Sequence, residues 1–416
     1  MFCDFEGNPM ISRMTVKNFK ALRDVTVDLA PFTVLIGPND TGKTSFLEAV
    51  YALSESTRQL LAYCFWFPWQ KRELVHKQGA DTQVHFAVEL RNGGEKKDNL
   101  SSEEQSVAYS LALSFSAGRN CSVVQERIGR IGTQQVELTN MINSPQTSVY
   151  YYRNGGLSSD QQQQVRQVSE LLPPAILTRW DVEELAMPSR LPEQRRFPFD
   201  PSGYGLATCI AEMKLGRLEY FEALRDDFCA QFPTFQDILT PRTTVQGMER
   251  SPQLQKSLGS SGEGYALVLL RRDGVEVPAA LASGGILVTL AFLTLIHLQE
   301  PRKLLLIEEP ENALHPGRLK EIIPLLRRAV TSRDNCQVIL TTHSPLLLDY
   351  VDPAEVRVFL RNEQDDVQVY NVGDVPDIRD RLKYLMLGEL VYNEGEQELA
   401  KEIQEHANSH SGRGAE

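Results

Sequence analysis

Between an apolar run, Phe32-Thr33-Val34-Leu35-Ile36, and a segment of helical spacing from Ser45 to Leu53 stands Gly37-Pro38-Asn39-Asp40-Thr41-Gly42-Lys43-Thr44. No other feature constrains the fold as tightly. A mostly apolar five-residue run reads as a central strand. The loop after it fits G-x-x-x-x-G-K-[ST], in which glycines let backbone N–H groups turn inward around phosphates and the next helix adds its positive N-terminal end. Lys43 is expected to reach the β- and γ-phosphates, the Thr44 hydroxyl to hold Mg²⁺, and Ser45 to open the helix at the edge of that cradle. Strand, loop and helix in this order predict an α/β chain.

Two later strand exits carry side chains suited to such a site. Leu304-Leu305-Leu306-Ile307 ends in Glu308-Glu309, as a buried strand does when it delivers carboxylates to a metal. Glu308 would organise Mg²⁺ and Glu309 would polarise an attacking water as general base. An apolar run ending in acids is also a common strand exit, and the following Pro310-Glu311-Asn312-Ala313-Leu314-His315-Pro316 makes the pattern more specific. Gln337-Val338-Ile339-Leu340-Thr341-Thr342 presents His343, either a phosphate-contacting switch or a satisfied polar residue. Ser283-Gly284-Gly285 precedes an apolar stretch reaching Leu298, so Ser283 reads as an ordinary N-cap or as an anion-facing hydroxyl.

Together these elements resemble the Walker A (37–44), signature (Ser283, Gly284, Gly285), Walker B with D-loop (304–309, 311–315) and H-loop (His343) of an ABC-type ATPase head. Asn18-Phe19-Lys20 and Leu35-Ile36-Gly37-Pro38-Asn39 are similar to the RecF, SMC and OLD branch. Glu308-Glu309-Pro310-Glu311 and Thr341-Thr342-His343-Ser344-Pro345 resemble OLD-like prokaryotic ATPases of DNA repair and anti-phage defence. The resemblance implies a P-loop NTPase with a mixed or parallel core sheet, an antiparallel β subdomain and a helical insertion. It implies ATP and Mg²⁺ as cofactors, Lys43, Glu309 and His343 as catalytic residues, and a homodimer in which Ser283 of one head faces the γ-phosphate held at Lys43 of the other. Several positions depart from the pattern. Lys43 and Glu309 lie 266 positions apart, which calls for an insertion; Glu308 stands where most heads have Asp; Ile286 stands where the signature usually has Gln; no Q-loop glutamine can be placed. The 73 residues after His343 hold no acidic D-x-D pattern, so a TOPRIM nuclease domain is not expected.

The rest of the chain sorts by periodicity. Alternation at 11–16, 25–29, 84–90, 108–115 and 148–152 predicts half-buried strands, mostly of one antiparallel sheet. Residues 160–239 read as helical, with Gln161–Gln164 on an exposed face; 246–264 as a loop; 265–274 as a hairpin; 304–307, 337–341 and 356–360 as parallel strands; and 409–416 as a disordered tail. The expected organisation is therefore an ATPase lobe over 10–155, a helical insertion over 156–262, a second ATPase lobe over 263–375, and C-terminal helices with a tail over 376–416.

Composition narrows the partners. With 43 Lys+Arg against 55 Asp+Glu, the net charge of −12 argues against coating nucleic acid by bulk charge. Six cysteines without a C-x-x-C pair suggest reduced core thiols rather than disulfides or a zinc knuckle, and His315 with His343 lacks a third zinc ligand. The longest apolar run, 284–298, is too short for a bilayer span, and Asp4 with Glu6 replaces a basic leader region, so a cytoplasmic chain without membrane contact is expected. Phe65-Trp66-Phe67-Pro68-Trp69 reads as core or interface, with base stacking as the alternative, and Arg190–Arg196 as a solvated basic loop or a partner contact. Three functions follow: a switch or sensor ATPase of anti-phage defence acting through a separate effector, a RecF-like DNA-binding repair ATPase, and a non-hydrolysing nucleotide-bound scaffold.

Overall fold

A computed structural model describes residues 10–65, 74–76, 83–91, 106–115, 121–132, 135–138, 141–153, 159–190, 199–245, 262–298, 304–313, 316–331 and 336–411. They form two compact units. One comprises Met1–Leu177, Pro301–Glu308 and Val330–Glu416, the other Thr178–Glu300 and Glu309–Ala329.

The first unit is built around a six-stranded sheet in the order Val367–Asn371, Val356–Arg361, Phe32–Ile36, Gln337–Thr341, Leu304–Glu308, Ala175–Thr178. Phe32–Ile36 is buried at all five positions and sits between parallel neighbours on both sides, Val34 facing Val356 and Leu340. A strand covered on both faces needs a continuous apolar run, and these residues supply it. Leu304–Glu308 runs parallel to Gln337–Thr341, pairing Glu308 with Thr341. Three strand ends that carry the motifs therefore open on one edge of one sheet.

A second sheet of this unit is antiparallel, in the order Leu22–Asp28, Met10–Phe19, Gln83–Arg91, Ser106–Phe115, Cys121–Gly129, Val136–Glu137. Its alternating strands bury Val84, Phe86, Val88 and Leu90 in the same apolar cluster as Phe46, Leu304 and Ile339. Phe65 belongs there too, its ring 5.1 Å edge-on to Phe115, so it is a core residue; residues 66–69 lie outside the described residues.

One expected strand of this sheet is a helix. Ser148–Arg153 coils although Tyr150–Tyr152 favours strands, because side-chain acceptors satisfy its first amides. The buried Glu126 carboxylate accepts from Ser148 N (2.8 Å) and from the Tyr109 hydroxyl (2.7 Å), while Thr147 Oγ1 accepts from Tyr150 N at 3.1 Å.

The second unit holds helices Leu206–Gly216, Leu218–Gln231 and Gly284–His297. The helical run expected to reach residue 239 stops at Gln231; Phe235–Leu239 is a strand paired with Val268–Arg271, which turns at Gly274 (φ 83°) into Glu276–Pro278. Strand Gly262–Tyr265 replaces the end of the expected loop and pairs with Arg242–Val245, while residues 246–261 lie outside the described residues. Helix Gly284–His297 is buried from Leu287 to Leu295. Its two threonines return their hydroxyls to the backbone, Thr289 to Gly285 O at 2.7 Å and Thr294 to Leu290 O at 2.8 Å, so neither polar group is stranded. At its end His297 Nε2 meets Asp227 Oδ2 at 3.0 Å, and Arg328 reaches the same oxygen at 2.6 Å.

Residues 409–411, expected in a disordered tail, continue the helix Glu396–Ser411. Cys64, Cys121, Cys209, Cys229 and Cys336 are free thiols. Among the described residues, no helix is long and apolar enough to cross a membrane.

Candidate functional site

The phosphate-type loop follows from the local chain. Ile36 ends the central strand, and Gly37 leaves it at φ 139°, where a Cβ would stand 2.2 Å from the Phe359 carbonyl oxygen. Only glycine passes that point. Asp40 (φ 64°) and Gly42 (φ 88°) complete the reversal, and helix Lys43–Ser56 begins with Phe46 N bonded to Gly42 O at 2.9 Å. Thr41 Oγ1 closes the loop on Pro38 O at 2.8 Å.

Lys43 is only 5% exposed, and its ammonium donates to Gly37 O (2.7 Å) and Pro38 O (2.8 Å). The charge is thus held across the mouth of the loop rather than in solvent. Beside it, the Thr44 hydroxyl donates to Glu308 Oε1. The first turn of the helix and the last residue of strand Leu304–Glu308 meet at this bond. On the next strand, Thr342 N bonds Leu35 O at 3.1 Å, extending the pairing past Thr341 and bringing exposed His343 out beside the exit of the central strand.

Two residues that the sequence does not mark bear on the loop, one by contact and one by charge. Arg361, at the end of the other parallel neighbour, donates from Nη2 (2.7 Å) and Nε (3.0 Å) to Asp40 O. Its signal was topological: a strand parallel to 32–36 must end beside the loop. Glu396 is the first residue of the C-terminal helix, and burial raises its carboxyl above the ordinary value, opposed by Lys43, His343 and the Gly37 amide. No local pattern marks it.

The remaining expected residues lie in the second unit. Glu309 has a left-handed backbone (φ 43°) and accepts from Asn312 Nδ2 at 2.7 Å. A bulky residue holds that conformation only where its surroundings enforce it. Ser283 occupies the N-cap position of helix Gly284–His297, yet its hydroxyl caps none of the helix amides, and a Cβ on Gly285 would meet nothing within 4 Å. The ordinary-cap reading of Ser283 is therefore not what the structure shows; the helix start is open. Leu314 and His315 lie outside the described residues, as do residues 191–196 of the basic loop.

The donor set fits a magnesium nucleotide. Mg²⁺ takes few protein oxygens and keeps water, and Thr44 with Glu308 offers a hydroxyl and a carboxylate already in contact. The buried ammonium, the loop amides and the helix start supply the positive side that phosphates require.

The fold is that of an ABC-type P-loop ATPase head, α/β with mixed sheets. An SMC head bound to the C-winged helix domain of ScpA is similar at a TM-score of 0.51 and 13% identity, over 86% of this chain and 97% of that one. An SMC head with an extended coiled coil, bound to the C-terminal domain of ScpA derived from Pyrococcus furiosus, gives a TM-score of 0.50 and 11% identity over 90% and 100%. Residues 10–114 match the family described as AAA ATPase domain, and 212–349 the family described as "AAA domain, putative AbiEii toxin, Type IV TA system". An OLD nuclease of Thermus scotoductus is 46% identical over 41 residues, and the DNA replication and repair protein RecF of Erwinia tasmaniensis 46% over 44. Each stretch covers 10% of this chain and only 8% and 12% of those relatives.

Proposed function

We propose that this chain is a Mg²⁺-dependent ATPase whose heads pair on ATP, and that it works as a nucleotide-driven switch or sensor with a separate effector in anti-phage defence. The observation that carries the ATPase reading is the Thr44–Glu308 contact beside the buried Lys43. Bound Mg²⁺ would supply charge neutralisation at the β- and γ-phosphates. In this reading the backbone N–H groups of Gly37, Asn39, Asp40, Thr41, Gly42, Lys43, Thr44 and Ser45 hold the phosphates, Pro38 having none to donate. Lys43 turns its ammonium from the Gly37 and Pro38 carbonyls toward them. Thr44 and Glu308 hold the metal, the longer Glu side chain reaching the Thr44 hydroxyl directly. Glu309 takes the proton of the attacking water, His343 contacts the γ-phosphate, and Ser283 with Gly284 and Gly285 offers its uncapped helix start to the nucleotide of a second copy.

The short match to an OLD nuclease supports the defence role, and the ScpA-bound SMC heads support partner binding by a fold of this kind. The match to RecF favours a second reading, a DNA-binding repair ATPase. ATP turnover measured with and without duplex DNA across a salt series separates them. Under the effector reading DNA leaves the rate within about twofold, whereas stimulation that collapses with rising salt selects the repair reading. No turnover in either condition would leave only the nucleotide-bound scaffold.

A further inference from the structure

Arg361 holds two backbone reversals at once. Its Nε (3.0 Å) and Nη2 (2.7 Å) both donate to Asp40 O, and its Nη1 donates to Asp365 O at 2.7 Å. Asp40 and Asp365 each stand at φ 64°, a left-handed conformation that residues other than glycine rarely adopt unaided. The Asp40 side chain is 91% exposed and its carboxylate lies 3.6 Å from Nη2, so the guanidinium acts on the carbonyl rather than on the acid. The tie is anchored on the hairpin side. Strand Val356–Arg361 pairs with Val367–Asn371, and Asn362 closes the turn between them, its Oδ1 accepting from Gln364 N (3.0 Å) and Asp366 N (2.9 Å). Arg23 reaches from the antiparallel sheet to Asp366 at 2.9 Å. The same hairpin borders the loop at both of its glycines. The Phe359 carbonyl closes on Gly37, and Val367 Cγ2 lies 3.6 Å from where a Cβ on Gly42 would stand. Arg361 fastens the residue between them.

A trans peptide is planar, with its C=O and N–H pointing opposite ways. Fixing Asp40 O on Arg361 therefore turns the Thr41 N–H to the other side of the loop, away from the guanidinium. We infer that Arg361 is a positioning residue of the nucleotide site: it locks the Asp40–Thr41 peptide so that the Thr41 N–H stands ready for a phosphate oxygen before nucleotide arrives. This rests on the nucleotide reading above. A loop that had to rotate this peptide on binding would lose affinity to that rotation, and a fastened one does not. Asp40 can occupy a left-handed position in the loop because the hairpin, through Arg361, holds it there.

The test is the Kd for ATP with Mg²⁺ of the full chain in four forms: native, Arg361→Gln, Arg361→Lys, and Arg361→Gln combined with Asp40→Gly. Lysine keeps the charge but lacks the fork that spans two carbonyls. Glycine takes the left-handed conformation without help, so it removes the need for the tie. Arg361→Gln should raise Kd by about tenfold, as for loss of a charge-assisted hydrogen bond. Arg361→Lys should raise it by about fivefold or more. Adding Asp40→Gly to Arg361→Gln should recover about threefold of the lost affinity. An Arg361→Lys chain that binds as tightly as the native one would show that charge alone is felt, and would overturn the proposal. So would an Arg361→Gln chain that gains nothing from Asp40→Gly. Should Arg361→Gln fail to fold, Arg361→Lys decides by the same criterion. If the native chain binds ATP, loses that binding in Lys43→Ala, and Arg361→Gln binds as the native chain does, the positioning role is overturned while the nucleotide reading stands. If none of the forms binds ATP, both readings fall.

Discussion

The Thr44 hydroxyl donates a hydrogen bond to the Glu308 carboxylate, joining the first turn of helix Lys43–Ser56 to the last residue of strand Leu304–Glu308. The two residues are 264 positions apart in the chain, and only the parallel sheet between them makes the contact. If this pair holds Mg²⁺, Glu308→Gln should lower Mg²⁺-stimulated ATP turnover by about a hundredfold or more. ATP binding in the presence of a chelator should change by less than about threefold. Equal losses in both assays would mean that Glu308 supports the loop rather than a metal.

Gly37 gives a prediction about stability. A methyl group there would collide with Phe359 O at 2.2 Å, and φ 139° is closed to L residues. Gly37→Ala is expected to cost about 2–4 kcal/mol in denaturant unfolding. A change below about 0.5 kcal/mol would show that the loop is not held against the neighbouring strand.

Glu126 and Asp227 should respond to pH in opposite senses. Burial raises the Glu126 carboxyl above its ordinary 4.5, partly opposed by the Ser148 amide and the Tyr109 hydroxyl. The folded chain therefore binds this proton more tightly than the unfolded one. The contribution is fully present below 4.5 and is lost as pH rises through the raised folded value. Native stability relative to Glu126→Gln should fall over that window; a flat difference from pH 4 upward would contradict it.

For Asp227, burial pushes the carboxyl up, but hydrogen bonds and charge from Arg328 and His297 outweigh it and leave the group below 3.8. Its contribution is present above 3.8 and lost as pH falls through the lower folded value. Asp227→Asn should cost about 1 kcal/mol at neutral pH, since Arg328 is largely solvated. The cost should vanish in acid, read as a converging unfolding midpoint for the two chains.

What was legible in the sequence had a local physical cause. Phe32–Ile36, Leu304–Ile307 and Gln337–Thr341 are apolar at nearly every position because both sheet faces are covered, and each ends in a chemically loaded residue. The helix at 284–298 was equally plain, since burial from Leu287 to Leu295 leaves no polar face to blur it. Ser148–Tyr152 misled because three tyrosines favour a strand, while the decision rests with Glu126 and Thr147, one of them 22 positions away. Phe235–Leu239 is too short to stand out after a helix. Arg361 was invisible for a different reason: it reaches the loop through tertiary placement, from the end of a neighbouring strand.

The central claim is that the acids ending strand Leu304–Glu308, together with the loop at 37–44, hydrolyse ATP. The most direct measurement is ATP turnover and association state of the native chain and of Glu309→Gln, in Mg²⁺ and ATP. Native turnover, its loss by about a hundredfold or more in Glu309→Gln, and an ATP-dependent dimer retained by that variant are the predicted results. Turnover unchanged in Glu309→Gln, with a monomer in all conditions, would contradict the account.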